Sequence, residues 1–339
     1  MVTTLTPRDR LLTWRRHHAA GRPRPRIDLP ELRVRGAFFE LADGTYWTAR
    51  QCSDFNLLAR YLDGEDITPV LAQRQACDFN LLRVWTLFDI PGIGTLTDPD
   101  YDRIPAFVDL CERYGLYVEF TAYTGINPPG HWHDLITAAL ACRPHPLLEL
   151  VNELDQNTNE PDSDGRIFVL EDYDQAPAPL LSSHGSNGSE AWPVTPHWSY
   201  ATFHTNDASE WQRKVGHNAM EIWGGPTLTN ENTRYTDKAH NMTWAYDAAA
   251  GAALLCAGSC YHSTAGKTSV RWAGAELEGA LAWATGALSV RVRYQDGAYR
   301  HEHGPESPEG DISDPANPIL RVYDRVLPDG AYERVTIRK

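Results

Sequence analysis

The sequence predicts an α/β fold: a (β/α)8 barrel with an N-terminal hairpin and a short C-terminal β extension. Three observations predict it. Short apolar runs of β type alternate with helical runs along most of the chain, eight such β runs can be counted, and two of them end in Asn-Glu followed by polar sequence. Strand and helix in strict alternation is the mark of βα units around a parallel sheet. The 339 residues exceed the roughly 250 that such a barrel needs.

Residues 1–30 are basic and interrupted by proline, ending in GRPRPRIDLP, and are expected to form an extended arm. Residues 31–290 form the barrel unit, opened by LRVRGAFFELADGTYWTA, where Asp43-Gly44 between alternating apolar runs predicts a type I′ hairpin. A first strand is placed within residues 48–58. Later strands are expected at 79–88, 116–123, 147–153, 179–184, 200–204, 226–231 and 252–258. The intervening helices are ITPVLAQRQACD, YDRIPAFVDLCERYG, HDLITAALACR, EWQRKVGHNAMEIW, DKAHNMTWAYDAAAGA and VRWAGAELEGALAWATGAL, several with apolar residues spaced by three and four. Residues 157–177 read as a long polar loop, and residues 291–339 as a β extension packed on the barrel, with alternation in SVRVRY and ILRVYDRV.

Composition narrows the partners. With 45 acidic and 31 basic residues, the net charge of −14 argues against a general affinity for nucleic acid or anionic membranes. No run is apolar enough to read as a secretory signal or a membrane span, and compartment and oligomeric state stay open. The 11 tryptophans and 15 tyrosines suit either a large core or stacking on sugar rings. Six scattered cysteines lack zinc spacing; Cys256 and Cys260 are close enough for a local pair, which the sequence leaves open. His131 and His133 sit in a loop with no partner ligand, so sugar contact is preferred there over a metal. GIGTL and GPTLT lack the strand-glycine-helix context of a phosphate loop, and no cofactor is expected.

The chemistry concentrates in two places. LLELVNELDQ ends an apolar run in Asn152-Glu153, and PTLTNENTR ends another in Asn230-Glu231. Side chains at the C-terminal ends of barrel strands face a shared site. The 78 positions between the two glutamates approximate three βα units, which puts them on strands four and seven. Two carboxyls at one site serve acetal cleavage: one protonates the leaving oxygen while the other stabilises or attacks the anomeric carbon.

On these motifs the chain resembles the clan A glycoside hydrolases, particularly the cellulase and mannanase families of TIM barrels, over roughly residues 32–290. The resemblance implies that Glu153 is the general acid/base, that Asn152 binds the sugar 2-hydroxyl, and that Glu231 is the nucleophile. GAFFELADGTYWTARQCSDFNLL is similar to the family's opening hairpin and first strand, and FNLLRVWTLFD to its second, which implies a hydrogen bond from Arg83 to the nucleophile. His204 resembles the histidine following strand six. Asn-Thr-Arg replaces the usual Phe-Gly after the nucleophile, Thr-Asn follows His204 where a tyrosine is often two residues on, and Cys260-Tyr261-His262 stands where a tryptophan often forms the sugar floor. Tyr261, His262 and Trp85 are therefore expected to contact substrate, with Trp132, Trp192 and Trp198 as further stacking candidates and Ser183 and His184 bordering the cleft. The implied activity is retaining hydrolysis of a β-linked oligo- or polysaccharide; transglycosylation and a non-catalytic carbohydrate-binding barrel are the alternatives.

Overall fold

The computed structural model describes residues 29–35, 38–86, 100, 102–123, 147–152, 180–185, 199–205, 226–232, 235, 240–255, 257–295, 298–303, 319–326 and 332–338. Eight parallel strands close into a barrel: β4 (Ala49–Ser53), β5 (Leu81–Trp85), β6 (Tyr117–Tyr123), β7 (Leu147–Val151), β8 (Leu180–Gly185), β9 (Tyr200–Thr205), β10 (Thr227–Asn232) and β11 (Gly258–Tyr261). Each pairs with its sequence neighbour, and β11 returns to β4. Asn152 thus directly follows the fourth barrel strand, and Glu231 lies on the seventh.

Among the described residues three strands precede the barrel, β1 (Leu32–Arg35), β2 (Phe38–Leu41) and β3 (Tyr46–Trp47), in one antiparallel sheet. The hairpin expected at Asp43-Gly44 is present with a different turn. Gly44 alone has positive φ, at 84°, its N–H donates to the Leu41 carbonyl, and the Leu41 N–H donates to Thr45. That is a three-residue loop with glycine in the left-handed position, where type I′ would need positive φ at Asp43 too. The Asp43 carboxylate accepts from the Thr45 N–H and favours this arrangement. The sheet lays Leu32, Phe39 and Trp47 against Ala49, Leu81, Tyr117, Leu147, Tyr200 and Leu228, the inward residues at the strands' N-terminal ends, and plugs that mouth.

The described helices are α1 (Leu57–Leu62), α2 (Thr68–Ala76), α3 (Ile104–Glu112), α4 (Met242–Leu255), α5 (Thr264–Thr268) and α6 (Gly274–Ser289). Helix α3 shows why its sequence is helical: Ile104, Phe107, Val108 and Cys111 fall on one face and are buried against the barrel wall. Outward strand residues Leu82, Val84, Val118, Phe120 and Leu148 supply the other half of that core. The expected strand at 252–258 is corrected: residues 252–255 finish α4, and the eighth strand begins at Gly258. Helix α4 is alanine-rich and packs closely on α6, where a Cβ on Gly286 would lie 2.1 Å from the Tyr246 carbonyl oxygen. The first-strand stretch divides into β4 and α1.

Beyond α6, four strands form an antiparallel sheet, β12 (Val290–Gln295), β13 (Ala298–His303), β14 (Ile319–Val326) and β15 (Tyr332–Arg338), with α4 touching β12, β13 and β14. Residues 1–28, the loop 157–177 and the helices expected at 133–143 and 210–223 lie outside the described residues. Among the described residues no helix is long and apolar enough to cross a membrane.

Candidate active site

Along each barrel strand alternate residues point inward. Above the apolar layer, Gln51, Arg83, Glu119, Glu149, Thr202 and Cys260 fill the barrel, and all are buried. Higher still, at the C-terminal mouth, stand Trp85, Thr121, His204, Glu231 and His262. Glu231 owes its inward position to a β-bulge. The β9–β10 register pairs Leu228 with Thr202 but Glu231 with His204, slipping by one residue between Thr229 and Glu231. Strict alternation from Leu228 would have turned Glu231 outward.

Arg83 connects the site. Its Nη1 donates to Glu231 Oε2 at 2.8 Å, Nη2 to Asn152 Oδ1 at 2.8 Å and to Glu149 Oε2 at 2.8 Å, and Nε to Glu149 Oε2 at 3.0 Å and Thr121 Oγ1 at 3.1 Å. Glu149 also accepts from Thr121 Oγ1 at 2.6 Å and Thr202 Oγ1 at 3.2 Å. Burial opposes the charge on Arg83, but Glu149, Glu231 and Glu119 outweigh it and keep the guanidinium protonated. Glu231 is the exposed member of the group: 24% of its side chain reaches solvent against 0% for Arg83. His204 Nε2 lies 3.5 Å from Oε2 and His262 Nε2 3.6 Å from Oε1. Burial alone would raise the Glu231 carboxyl; the charges of His204, His262 and Arg83, with the Arg83 hydrogen bond, hold it well below the usual carboxylate range. At neutral pH the permanent part of that effect is Arg83, because burial pushes His262 down to about 4.

Below this group Glu119 accepts from Tyr200 Oη at 2.7 Å and from Gln51 Nε2. Burial and neighbouring Glu149 push it up to about 7, against Arg83 and these hydrogen bonds. Three inward carboxylates for one guanidinium is an excess that a shared proton relieves.

Arg83, Asn152, His204, His262 and Glu231 are thus brought together. Trp85 joins them at the rim, its ring stacked on Phe55 at 4.1 Å and 14°, and Phe55 lies 5.5 Å from His262. Tyr261 is corrected. With Cys260 on β11 and His262 just after it facing inward, Tyr261 faces out; it packs on Phe79, Tyr235, Trp272 and Trp283 and donates to the Glu276 carbonyl, with no access to the mouth. Cys260 Sγ lies 3.3 Å from Ser53 Oγ. Glu153, Asp155, His131, His133, Trp132, Trp192 and Trp198 lie outside the described residues, as do the side chains of Ser183 and His184. Sequence reasoning missed Glu149, Glu119, Ser53 and Phe55. The first two had a signal: a charged residue inside LLELV or YVEFT must find a buried partner. Among the described residues no group of three His, Cys, Asp or Glu side chains is disposed to hold a metal ion.

The barrel has counterparts among solved structures. The catalytic domain of Thermobifida fusca endoglucanase Cel5A matches with a TM-score of 0.52 at 16% identity, over 75% of this chain and 95% of that one. A form of that domain in complex with cellotetraose matches at 0.51 and 14% identity, with the same coverage. A β-1,4-D-mannanase from Cryptopygus antarcticus matches at 0.50 and 14% identity, over 75% and 94%. No family model and no curated protein matches the chain.

Proposed function

We propose that the protein is a retaining glycoside hydrolase acting on a β-linked glycan, with Glu231 as nucleophile and Glu153 as general acid/base. The observation that carries this reading is the Arg83 guanidinium, which joins Glu231 on the seventh barrel strand to Asn152 just after the fourth, next in sequence to Glu153. An ionised, partly exposed carboxylate beside a fixed cation is what nucleophilic attack requires. The Glu231 carboxylate attacks the anomeric carbon while Glu153 passes its proton to the departing glycosidic oxygen. Glu153, now a carboxylate, takes a proton from water, whose oxygen attacks the same carbon and releases Glu231. Asn152, oriented by Arg83, presents its amide N–H2 to the 2-hydroxyl. The endoglucanase and mannanase with similar barrels make β-1,4-linked glucans and mannans the first substrates to screen.

The test is trapping with an activated 2-deoxy-2-fluoro glycoside. Mass spectrometry is expected to find one sugar on the peptide containing Glu231, with no adduct on Glu231→Gln. In Glu153→Ala, azide is expected to restore turnover of an activated substrate with retained configuration. Sugar affinity without cleavage of any glycan, unchanged in both glutamate variants, would instead identify a carbohydrate-binding barrel.

A further inference from the structure

Strands β4 and β11 pair in register, Cys52 opposite Tyr261, which brings Ser53 beside His262. Ser53 Oγ lies 2.7 Å from His262 Nδ1, and the other ring nitrogen faces Glu231 Oε1 at 3.6 Å. Both Ser53 and His262 are buried, so solvent does not set their protons. We propose that Ser53 is a positioning residue that holds His262 in the tautomer with its proton on Nε2, so that an N–H and not a lone pair faces Glu231.

Only two neutral arrangements fit the geometry. In the first, the Ser53 hydroxyl donates to Nδ1 and Nε2–H points at Oε1. In the second, Nδ1–H donates to Ser53, the hydroxyl proton turns to Cys260 Sγ at 3.3 Å, and the Nε2 lone pair confronts an ionised carboxylate. The second sets two electron-rich atoms against each other in a buried pocket, and the first removes that repulsion. The imidazolium form is opposed by burial and by Lys267 on α5, Arg83 on β5 and His204 on β9, with Glu231 on β10 alone favouring it. Ser53 is itself fixed: a Cβ on Gly266 would lie 2.4 Å from its carbonyl oxygen, so α5 sits directly on the end of β4.

The consequence for reaction rests on the proposed hydrolase reading. Arg83 occupies Oε2 of Glu231 at 2.8 Å, which leaves Oε1 for the anomeric carbon. The His262 N–H, at 3.6 Å just beyond hydrogen-bond range, needs a closure of a few tenths of an ångström to stabilise that oxygen as negative charge returns to it in the second half-reaction.

The experiment is long-range 1H–15N correlation on the 15N-histidine-labelled full chain at neutral pH, with the His262 signals assigned by their loss in His262→Gln. A protonated Nε2 and bare Nδ1 in the wild type, unchanged in Cys260→Ala and lost or mixed in Ser53→Ala, is expected. A protonated Nδ1, an imidazolium, or a pure Nε2–H form surviving in Ser53→Ala overturns the proposal. Should Ser53→Ala fail to fold, Ser53→Gly carries the same test: a lost or mixed Nε2–H form is expected, and a pure one overturns the proposal. Where the chain hydrolyses a glycan, Ser53→Ala is expected to lower kcat about tenfold with a smaller change in KM. A chain that cleaves nothing would remove the hydrolase reading and leave the tautomer result standing.

Discussion

Glu119 and Glu149 sit on adjacent strands inside the same barrel, yet they are neutralised differently. Glu149 shares Arg83, whereas Glu119 has a phenol and an amide and keeps its proton to about 7. The sign of its effect on stability follows. An acid whose folded pKa is raised from 4.5 holds its proton more tightly when folded, so stability falls as pH climbs through the window from 4.5 to about 7. His262 works from the other side: with its pKa lowered by burial, it costs stability as pH falls from 6.5 to about 4. Glu119→Gln, an isosteric stand-in for the protonated acid, is therefore expected to flatten the alkaline decline. Unfolding free energies from urea titrations at about pH 5.5 and about pH 8 should differ less in the variant than in the wild type, by about 1–3 kcal/mol. Asp247, pushed up to about 6 by burial, has the same sign, so part of the decline persists. An unchanged slope would mean that Glu119 is ionised throughout.

At the scale of elements, the barrel closes where β11 meets β4, and the closure depends on Gly258. Its φ is 148°, and a Cβ there would stand 2.2 Å from the Ala49 carbonyl oxygen and 2.5 Å from the Ala49 Cβ. Gly258→Ala must push two paired strands apart and is expected to cost about 3 kcal/mol, lowering the melting temperature by about 4 °C. Gly274, with φ of 52° and nothing near its Cβ position, isolates the backbone cost, about 1–2 kcal/mol on substitution by alanine. Equal melting temperatures for the two variants would show that the strands have room. The same region marks the limit of reading by pattern. In β5, β6 and β7 the apolar runs are short and bounded, and their strands were legible. The stretch AALLCAG was not: it reads as a strand, yet residues 252–255 finish α4, an alanine-rich helix buried on several sides with the continuous apolarity of a buried strand. The β10 bulge was illegible for another reason: it is set by pairing with β9, and TLTNEN carries no local mark of it. Glu231 stood out because it ends an apolar run, and it does lie on the seventh barrel strand beside Arg83, while Tyr261 was assigned by position without regard to alternation.

Across the whole molecule the barrel is divided along its axis. Its N-terminal mouth is closed by aromatic contacts, Phe39 with Trp47 at 5.7 Å and with Tyr200 at 5.6 Å, and Trp47 with Tyr117 at 5.3 Å. Its C-terminal mouth holds Glu231, His204 and His262 around Arg83. Barrels of this kind keep stability and chemistry at opposite ends, and the layer containing Glu119 and Glu149 lies between them. Variants at the two ends should then separate the two properties. Phe39→Ala removes a fully buried ring from the plug and is expected to cost about 3–5 kcal/mol. Below its melting temperature its rate of glycan hydrolysis, on the proposed reading, should match the wild type. Glu231→Gln should abolish hydrolysis while shifting the denaturation midpoint far less, since the Glu149 carboxylate still pairs with Arg83. A Phe39→Ala enzyme that loses rate in proportion to stability would mean that strain crosses the polar layer and the two mouths act as one unit.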